Sequence, residues 1–179
     1  MIRNQDRDLV FIDSETTGLD ADFNEAIEWA AIRVSKNGQE TTFEARVKPT
    51  YPERFHPKAM EVNGYTKEGW ETTPLESSVA AGMAKICQGA ILVGHNVPFD
   101  EGFLRAFLKK HGLEPTWHYH KLDTMALAWP LVGSGEISGL SLSNLCAWAN
   151  TTQPTPHRAM ADARCVQVVY EKLMERYRR

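Results

Sequence analysis

The 179-residue sequence has few cysteines, no long apolar run and no repeated or low-complexity segment. Its three cysteines, Cys87, Cys146 and Cys165, form no Cys-x-x-Cys pair, and their odd number argues against a disulfide framework. We therefore expect a reducing, cytoplasmic compartment. No apolar run approaches the ~18 residues that cross a bilayer, and no signal-like segment precedes the first predicted strand, so no membrane association is expected.

Charge and length narrow the class of protein further. The net charge of −3 does not suit a protein that grips long nucleic acid through its phosphates. It is compatible with an enzyme that holds a few nucleotides through bound metal ions, because those ions supply local positive charge. With 42% hydrophobic residues and no visible linker, residues 1–179 are predicted to form one domain.

Five segments have the character of β-strands. Residues 9–12, 26–34 and 41–47 are predicted as the first three, and Asn37-Gly38 is the hairpin turn between the second and third. The third strand alternates, which is typical of an edge strand with one wet face. Residues 90–93 and 117–122 are predicted as two further short strands.

Helices are predicted between and after these strands. A capping box at Thr73-Pro74-Leu75-Glu76 predicts a helix to Cys87, and further helices are expected at about 97–111, 125–129 (capped by Asp123), 142–148 (capped by Ser141) and from about Arg158. The proline-containing stretch 49–57 is predicted to be irregular. The order of these strands and helices predicts an α/β fold in which an antiparallel hairpin joins parallel strands covered by helices.

An acidic pair follows the first strand. Asp13 and Glu15 alternate with Ser14, so in an extended backbone both carboxylates point to one side, about 7 Å apart. Gly18 then allows the chain to turn away. Taken alone, such a pair is better explained by solvated acids in a turn at the end of the strand.

Three more polar residues fall where their helices should pack or begin. Asp100 lies at the start of a helix just past a strand end, and Asp162 lies on or beside the apolar face of the last helix. His157 lies on the loop entering that helix, after Pro154-Thr155-Pro156. Each has an ordinary explanation by itself: a carboxylate near a helix N-terminus, a paired buried acid, and a solvated loop histidine.

Taken together, the four acids predict a metal site. Carboxylates that converge within a few Å repel one another by roughly 4 kcal/mol per pair at an effective dielectric constant of 20. Divalent cations remove that repulsion, and all-oxygen ligands favour Mg²⁺ or Mn²⁺. Two such ions can stabilise the attacking and leaving oxygens of a phosphoryl displacement, with His157 as general base for the water.

Three segments, in this order, resemble the motifs of the DEDDh 3′–5′ exonucleases, which include polymerase III epsilon subunits, ribonuclease T and oligoribonuclease. They are Asp13-x-Glu15-Thr16-Thr17-Gly18, His95-Asn96-x-x-Phe99-Asp100 and His157-Arg158-Ala159-x-x-Asp162-Ala163. The resemblance implies a ribonuclease H-like fold and two Mg²⁺ or Mn²⁺ ions. It implies Asp13, Glu15, Asp100 and Asp162 as metal ligands, with Glu15 and His157 catalytic.

The same resemblance implies residues near the terminal nucleotide. These are Thr16, Thr17, Gly18, Leu19, His95, Asn96 and Phe99. Asn63, in Val62-Asn63-Gly64-Tyr65-Thr66, stands where the family usually has a histidine beside the 3′ nucleotide. This departure affects nucleotide recognition and leaves the metal ligands intact.

The expected activity is removal of nucleoside monophosphates from the 3′ end of a single strand or short oligonucleotide. Two alternatives stay open: a hydrolase of short oligonucleotides or nucleotides, and a non-catalytic module that binds nucleic acid or a polymerase. The sequence does not choose between DNA and RNA, because contacts to the 2′-hydroxyl depend on loop geometry. It also leaves open whether a polymerase or a second copy of the chain is the partner.

Overall fold

The structure, a computed structural model, describes residues 7–152 and 157–178. The predicted loop residues Pro154 to Pro156 lie outside this range, as do the two ends of the predicted domain. No helix among the described residues is both long and apolar enough to cross a membrane.

A five-stranded mixed sheet forms the centre of the fold, in the order β3-β2-β1-β4-β5. β1 pairs antiparallel with β2, and β2 with β3, whereas β4 runs parallel to both β1 and β5. The predicted hairpin joined to parallel strands is thereby confirmed, with β3 on one edge. The strands are β1 (Leu9–Thr16), β2 (Ala26–Val34), β3 (Glu40–Arg46), β4 (Ile91–Gly94) and β5 (Lys121–Asp123).

Six helices accompany the sheet within the described residues. They are α1 (Pro57–Asn63), α2 (Glu76–Cys87), α3 (Val97–Lys110), α4 (Thr124–Gly133), α5 (Leu142–Trp148) and α6 (Ala159–Tyr177), with 3₁₀ turns at Pro52–Arg54 and Glu68–Trp70. The predicted caps of α4 and α5 are present: Asp123 accepts from the Met125 amide and Ser141 from the Asn144 amide.

The two faces of the sheet bury different helices because side chains alternate along each strand. Val10 and Ile12 of β1 pack with α2 and α3, in a core that includes Met83 and Leu104. Phe11, between them, faces the other way and packs against α6. A smaller core joins α4, α5 and the second half of α6. Helices from opposite faces can therefore reach the same edge of the sheet.

Helix α1 begins at Pro57, where the stretch predicted to be irregular ends, and it was not predicted. His56 caps it by accepting from the Lys58 amide, Pro57 occupies its first turn, and Gly64 ends it with φ of 63°. Proline at the start and glycine after the end are helix signals. The helix lacks an apolar face, since Asn63 is its only buried residue, and so the periodicity gave no indication of it.

The predicted capping box at Thr73 is wrong. Helix α2 begins at Glu76 with Leu75 in the N-cap position and no side-chain cap. A capping box needs the Glu76 carboxylate to fold back toward Thr73. Instead it lies 2.7 Å from Nζ of Lys110 on α3.

Asp123 links the starts of two helices. Its Oδ1 accepts from the Met125 amide of α4 at 2.8 Å and from the Asn96 amide at 3.3 Å, while Oδ2 accepts from the Val97 amide of α3 at 3.1 Å. One carboxylate thus satisfies otherwise unpaired N–H groups of both helices. It fixes how α3 leaves β4.

We expect Asp123→Ala to lower the free energy of unfolding by about 1–3 kcal/mol, since a single lost cap costs about 0.5–2 kcal/mol and two helices are affected. Ser141→Ala, which removes a cap from α5 alone, should cost about 1 kcal/mol. Asp123→Asn keeps one acceptor oxygen and should fall between the wild type and Asp123→Ala. Urea denaturation of the three variants checks this, and equal losses for Asp123→Ala and Ser141→Ala would contradict the shared cap.

Candidate active site

The site lies where β1 extends beyond its parallel neighbour. β1 pairs with β2 along its whole length, whereas β4 covers only Leu9 to Phe11. The predicted strand ended at Ile12, but in the structure it runs on to Thr16 because β2 continues to support it. Asp13 and Glu15 therefore belong to the strand. They lie past the last residue that pairs with β4, at the edge of the sheet formed by the carboxyl ends of β1 and β4.

Helices from both faces of the sheet bring the other two acids to this edge. Asp100 lies in the first turn of α3, and Asp162 in the first turn of α6. Asp13 interacts electrostatically with both of them and with Glu15. The convergence of the four predicted carboxylates is therefore present in the structure.

Ser14, which the sequence analysis did not single out, contributes to the site. Its hydroxyl donates to Oδ1 of Asp100 at 2.7 Å. It points to the opposite face from Asp13 and Glu15, and so it reaches the helix that covers that face. The serine inside an acidic motif was the available signal, but its partner depends on where α3 begins.

Burial and mutual repulsion raise the pKa values of the carboxyl groups. Burial, followed by the charges of Asp100 and Asp162, raises the pKa of Asp13 well above its usual value. The pKa of Glu15 rises to about 8, through burial and then through Asp162 and Glu28. The pKa of Asp100 rises to about 7, mainly through burial, although the Ser14 hydrogen bond opposes the rise. The cluster therefore favours protons or cations in place of free negative charge.

The donor set fits divalent metal ions. Four carboxylates meet here. Among the described residues, no cationic side chain is a main influence on the pKa of Asp13 or Asp100, and the Arg158 charge opposes the rise in the pKa of Glu15. One ligand atom each from Glu15, His157 and Asp162 lie within 4.8 Å of one another. The oxygens of the four carboxylates are the ligands that hard cations such as Mg²⁺ and Mn²⁺ prefer.

His157 lies next to this cluster on the segment entering α6, as the sequence predicts. Its backbone has φ of 62°, in the left-handed region that non-glycine residues seldom adopt. Its amide donates to Oδ2 of Asp162 at 3.3 Å, and the residue is exposed. This backbone shape keeps an exposed imidazole beside the carboxylates.

Glu28 holds the start of α6, and its position was not predicted to matter to the site. It pairs with Glu15 in the sheet register and is fully buried. Its Oε1 accepts from the Arg158 guanidinium and the Ala159 amide, both at 3.1 Å, and its Oε2 lies 3.4 Å from Nε of Arg46. A carboxylate on β2 thus caps α6 from another element. A charge inside an apolar strand was the signal that could have revealed it.

The backbone after Glu15 is held by several predicted binding residues. Thr16 Oγ1 donates to the Gly18 carbonyl at 2.6 Å, and Asn63 Nδ2 donates to the Thr16 carbonyl at 3.0 Å. Asn63 is 4% exposed, and its oxygen accepts from the Tyr65 amide, so both ends of the amide are used within the chain. A Cβ at Gly18 would lie 2.4 Å from the end of the Asn24 side chain, so a larger residue would have to displace that side chain from its hydrogen bond to the Arg54 carbonyl.

The remaining predicted binding residues differ in how much of each side chain is exposed. Leu19 is 87% exposed, directly after the tight turn. The His95 ring lies 3.0 Å from Oγ1 of Thr124, and burial lowers its pKa. Asn96 is exposed with φ of 64°, and Phe99 is partly buried, with its ring 5.0 Å from that of Phe103. Leu19 and Asn96 are the most open of the predicted set.

A mixed sheet with an acidic cluster at the edge between β1 and β4 defines the class as ribonuclease H-like. Residues 10–170 match the RNase T exonuclease family, and the chain belongs to that family. Structures of exonuclease I share the fold: one superposes with a TM-score of 0.78 at 21% identity, over 95% of this chain and 41% of the other. A complex of E. coli exonuclease I with a dT13 oligonucleotide gives 0.77 at 19% identity, over 94% and 40%.

Relatives in sequence include much longer proteins. The PolC-type DNA polymerase III of Thermotoga maritima is 30% identical over 171 residues, 95% of this chain and 12% of that protein. That of Streptococcus thermophilus is 34% identical over 119 residues, 66% of this chain and 8% of the polymerase. The chain therefore spans about a tenth of the length of these curated relatives.

The raised pKa values predict an inverted pH dependence of stability when EDTA removes cations. In the unfolded chain Glu15 and Asp100 titrate near pH 4, whereas in the folded chain they titrate at about 8 and 7. These two groups keep protons in the folded chain that the unfolded chain releases, so their contribution to stability is fully present below about pH 4. The free energy of unfolding should then fall by up to about 1.4 kcal/mol per pH unit for each retained proton as the pH rises toward 8.

Urea denaturation in EDTA between pH 5 and 8 measures this slope. Asp100→Asn should reduce it, and Mg²⁺ should restore stability at pH 8 by binding the folded chain. A wild-type chain that becomes more stable with rising pH in EDTA would contradict the electrostatic account of the cluster.

Proposed function

We propose that the chain is a metal-dependent 3′–5′ exonuclease domain that releases nucleoside monophosphates from the 3′ end of a single DNA or RNA strand. The observation that carries the proposal is the meeting of Asp13, Glu15, Asp100, Asp162 and His157 at one sheet edge, on an exonuclease-family fold. The 3′–5′ direction rests on the resemblance of the three motifs to DEDDh enzymes. Exonuclease I of E. coli, which shares the fold, has been captured with oligonucleotides.

The four carboxylates would hold two Mg²⁺ or Mn²⁺ ions. When bound, such ions supply positive charge to the attacking and leaving oxygens of a phosphoryl displacement. The residues of the chain do the rest: Ser14 orients Asp100, and Glu28 fixes the start of α6 and so the approach of His157. His157, exposed and next to the acids, takes the proton of the attacking water.

The sugar and base of the terminal nucleotide would lie against the segment from Thr16 to Leu19 and against Phe99. Asn63 is buried, it supports this segment through the Thr16 carbonyl, and both its amide nitrogen and its amide oxygen have partners within the chain. The exposure of the Leu19 side chain supports a contact with the last base. This division gives Asn63 a positioning role where family members have a histidine.

A direction assay tests the proposal with strands labelled at the 3′ or the 5′ end. With Mg²⁺ or Mn²⁺, 3′-labelled DNA or RNA should release a labelled mononucleotide at once, and 5′-labelled strands should shorten stepwise. A 3′-phosphate, EDTA, or Asp13→Asn should each abolish the reaction, and Asp13→Asn also controls for contaminating nucleases. Cleavage of a circular strand, or release of the 5′ label first, would overturn the proposal. Activity restricted to dinucleotides would instead favour a short-oligonucleotide hydrolase.

His157→Ala should lower kcat by about 10²- to 10⁴-fold, the usual contribution of a positioned base, equivalent to about 3–5 kcal/mol of barrier. His120→Ala, which removes an exposed histidine before β5, is the matched control and should leave kcat unchanged. Calorimetric titration with Mn²⁺ should show almost unchanged binding, since four carboxylates remain. If Mn²⁺ binding weakens in parallel with kcat, His157 is a metal ligand and not the base. Wild-type turnover in His157→Ala would remove it from the chemistry.

A further inference from the structure

A groove of about 460 Å³ lies beside the segment that follows Glu15. Phe23, Tyr51 and Arg54 form one wall, Phe103 lies on α3, and Lys109 and Lys110 belong to the end of the same helix. None of these residues takes part in the chemistry described above. Phe23 and Tyr51 are exposed aromatic rings beside cationic side chains, a combination found on surfaces that bind single-stranded nucleic acid, and the lining also includes the carboxylates of Asp22, Glu25 and Glu76.

The centre of this wall is a stacked arrangement, which we call the aromatic platform: Phe23, Tyr51 and Arg54. The Arg54 guanidinium lies 3.9 Å from the centroid of the Tyr51 ring and 5.0 Å from that of Phe23. Phe23 is 53% exposed and Tyr51 39% exposed. Across the described residues, no carboxylate lies within 4.0 Å of Arg54, so its charge is not neutralised by a salt bridge.

The platform is held in place by hydrogen bonds that leave its rings exposed. The side-chain amide of Asn24 donates to the Arg54 carbonyl at 2.9 Å. The Glu25 carboxylate accepts from the backbone amides of Thr50 and Tyr51 at 3.1 and 2.8 Å. Large apolar rings are thus fixed at the surface with their backbone already ordered. Such preorganisation reduces the entropy that a ligand must remove on binding.

Two further hydrogen bonds, both made by the Thr17 backbone, connect the neighbourhood of the platform to the segment that carries Glu15. The Thr17 amide donates to the Glu25 carbonyl, and the Thr17 carbonyl accepts from the His56 amide. Thr17 follows Glu15 by two residues, about 7 Å along an extended chain. On the far wall, the Phe103 ring packs at an angle of 50° against the ring of Phe99, which immediately precedes Asp100. Through Thr17 and Phe99, both walls of the groove are therefore connected to the segments that carry Glu15 and Asp100.

The charges in the groove favour stacking over a grip on phosphates. Lys110 lies 2.7 Å from Glu76 and 3.7 Å from Glu25, so its charge is largely balanced. A duplex hides the faces of its bases, whereas a single strand offers every base to an aromatic ring. A ligand that binds here through its bases also fits the net charge of −3.

We propose that the aromatic platform binds the upstream bases of the single strand whose 3′ end lies in the carboxylate site. This inference rests on the proposed function, since it extends that substrate along the groove. It makes the platform responsible for a preference for longer strands, and it leaves cleavage of a dinucleotide independent of Phe23 and Tyr51.

The double variant Phe23→Ala/Tyr51→Ala tests this with a series of dT strands from two to about ten nucleotides. Because stacking on one ring is worth roughly 5- to 150-fold in affinity per base, kcat/KM on the longest strand should fall at least about fivefold. kcat/KM on the dinucleotide should not change. Tyr119→Ala, which removes another exposed ring before β5, is the matched control and should behave as wild type.

A change in the strand provides an independent arm. Replacing upstream nucleotides by abasic linkers should lower wild-type kcat/KM on the long strand, with no further loss in the double variant, because ring and base form one interaction. Tyr51→Phe should retain the preference for length, since it retains the ring. If the double variant has a lowered melting temperature, Tyr51→Leu, which keeps apolar volume without an aromatic face, replaces it.

Three results would overturn the proposal. In the first, the double variant keeps the wild-type preference for length, and the platform then binds a protein partner and not the strand. It could lose the same factor on all lengths, which would give the platform a role only in supporting the segment after Glu15. Abasic linkers could have no effect on the wild type.

Failure of the proposed function gives a different pattern. If the wild-type chain cleaves no strand, fluorescence anisotropy with labelled dT10 separates the two ideas. Binding by the wild type that is lost in Phe23→Ala/Tyr51→Ala supports the platform without catalysis, whereas absence of binding by the wild type overturns the platform as well.

Discussion

Four carboxylates share one edge of the sheet, and their mutual repulsion is the constraint on which the rest of the structure depends. Burial raises the pKa values of Asp13, Glu15 and Asp100, and neighbouring acids raise those of Asp13 and Glu15 further. An arrangement of this kind opposes folding unless other contacts hold it together or cations neutralise it. The fold accepts a local loss of stability at the place where charge is needed for chemistry.

Three polar contacts from outside the cluster hold it in place. Asp123 caps α3 and α4 together, which fixes the helix that carries Asp100. Glu28 caps α6 from β2, which fixes the helix that carries Asp162. Ser14 ties β1 directly to Asp100 across the edge. Helices on opposite faces of the sheet are thereby held to a common geometry, and the apolar cores beneath them supply the rigidity.

The chain beyond this end of β1 forms part of the groove that we propose as the binding surface for a strand. β1 continues past β4, and the chain after Gly18 turns back to pack against the segment that carries Tyr51 and Arg54. The groove is therefore lined in part by the chain that follows the last carboxylate of β1. Binding by stacking and hydrolysis beside clustered acids are compatible on a chain with net negative charge, because neither depends on an extended basic surface.

The sequence by itself determined the mixed sheet, most helices and the four acids with His157, because hydrophobic periodicity, caps and residue spacing are local properties. The predicted strands and helices occur in the predicted order. The structure differs in a later start of α2, a longer β1 and the additional helix α1. Only the tertiary structure decided the roles of Ser14, Glu28 and Asn63 and the formation of the aromatic platform. Their partners are distant in the chain, as with Glu28 and Ala159 or Asn63 and Thr16, and no local pattern records which elements meet.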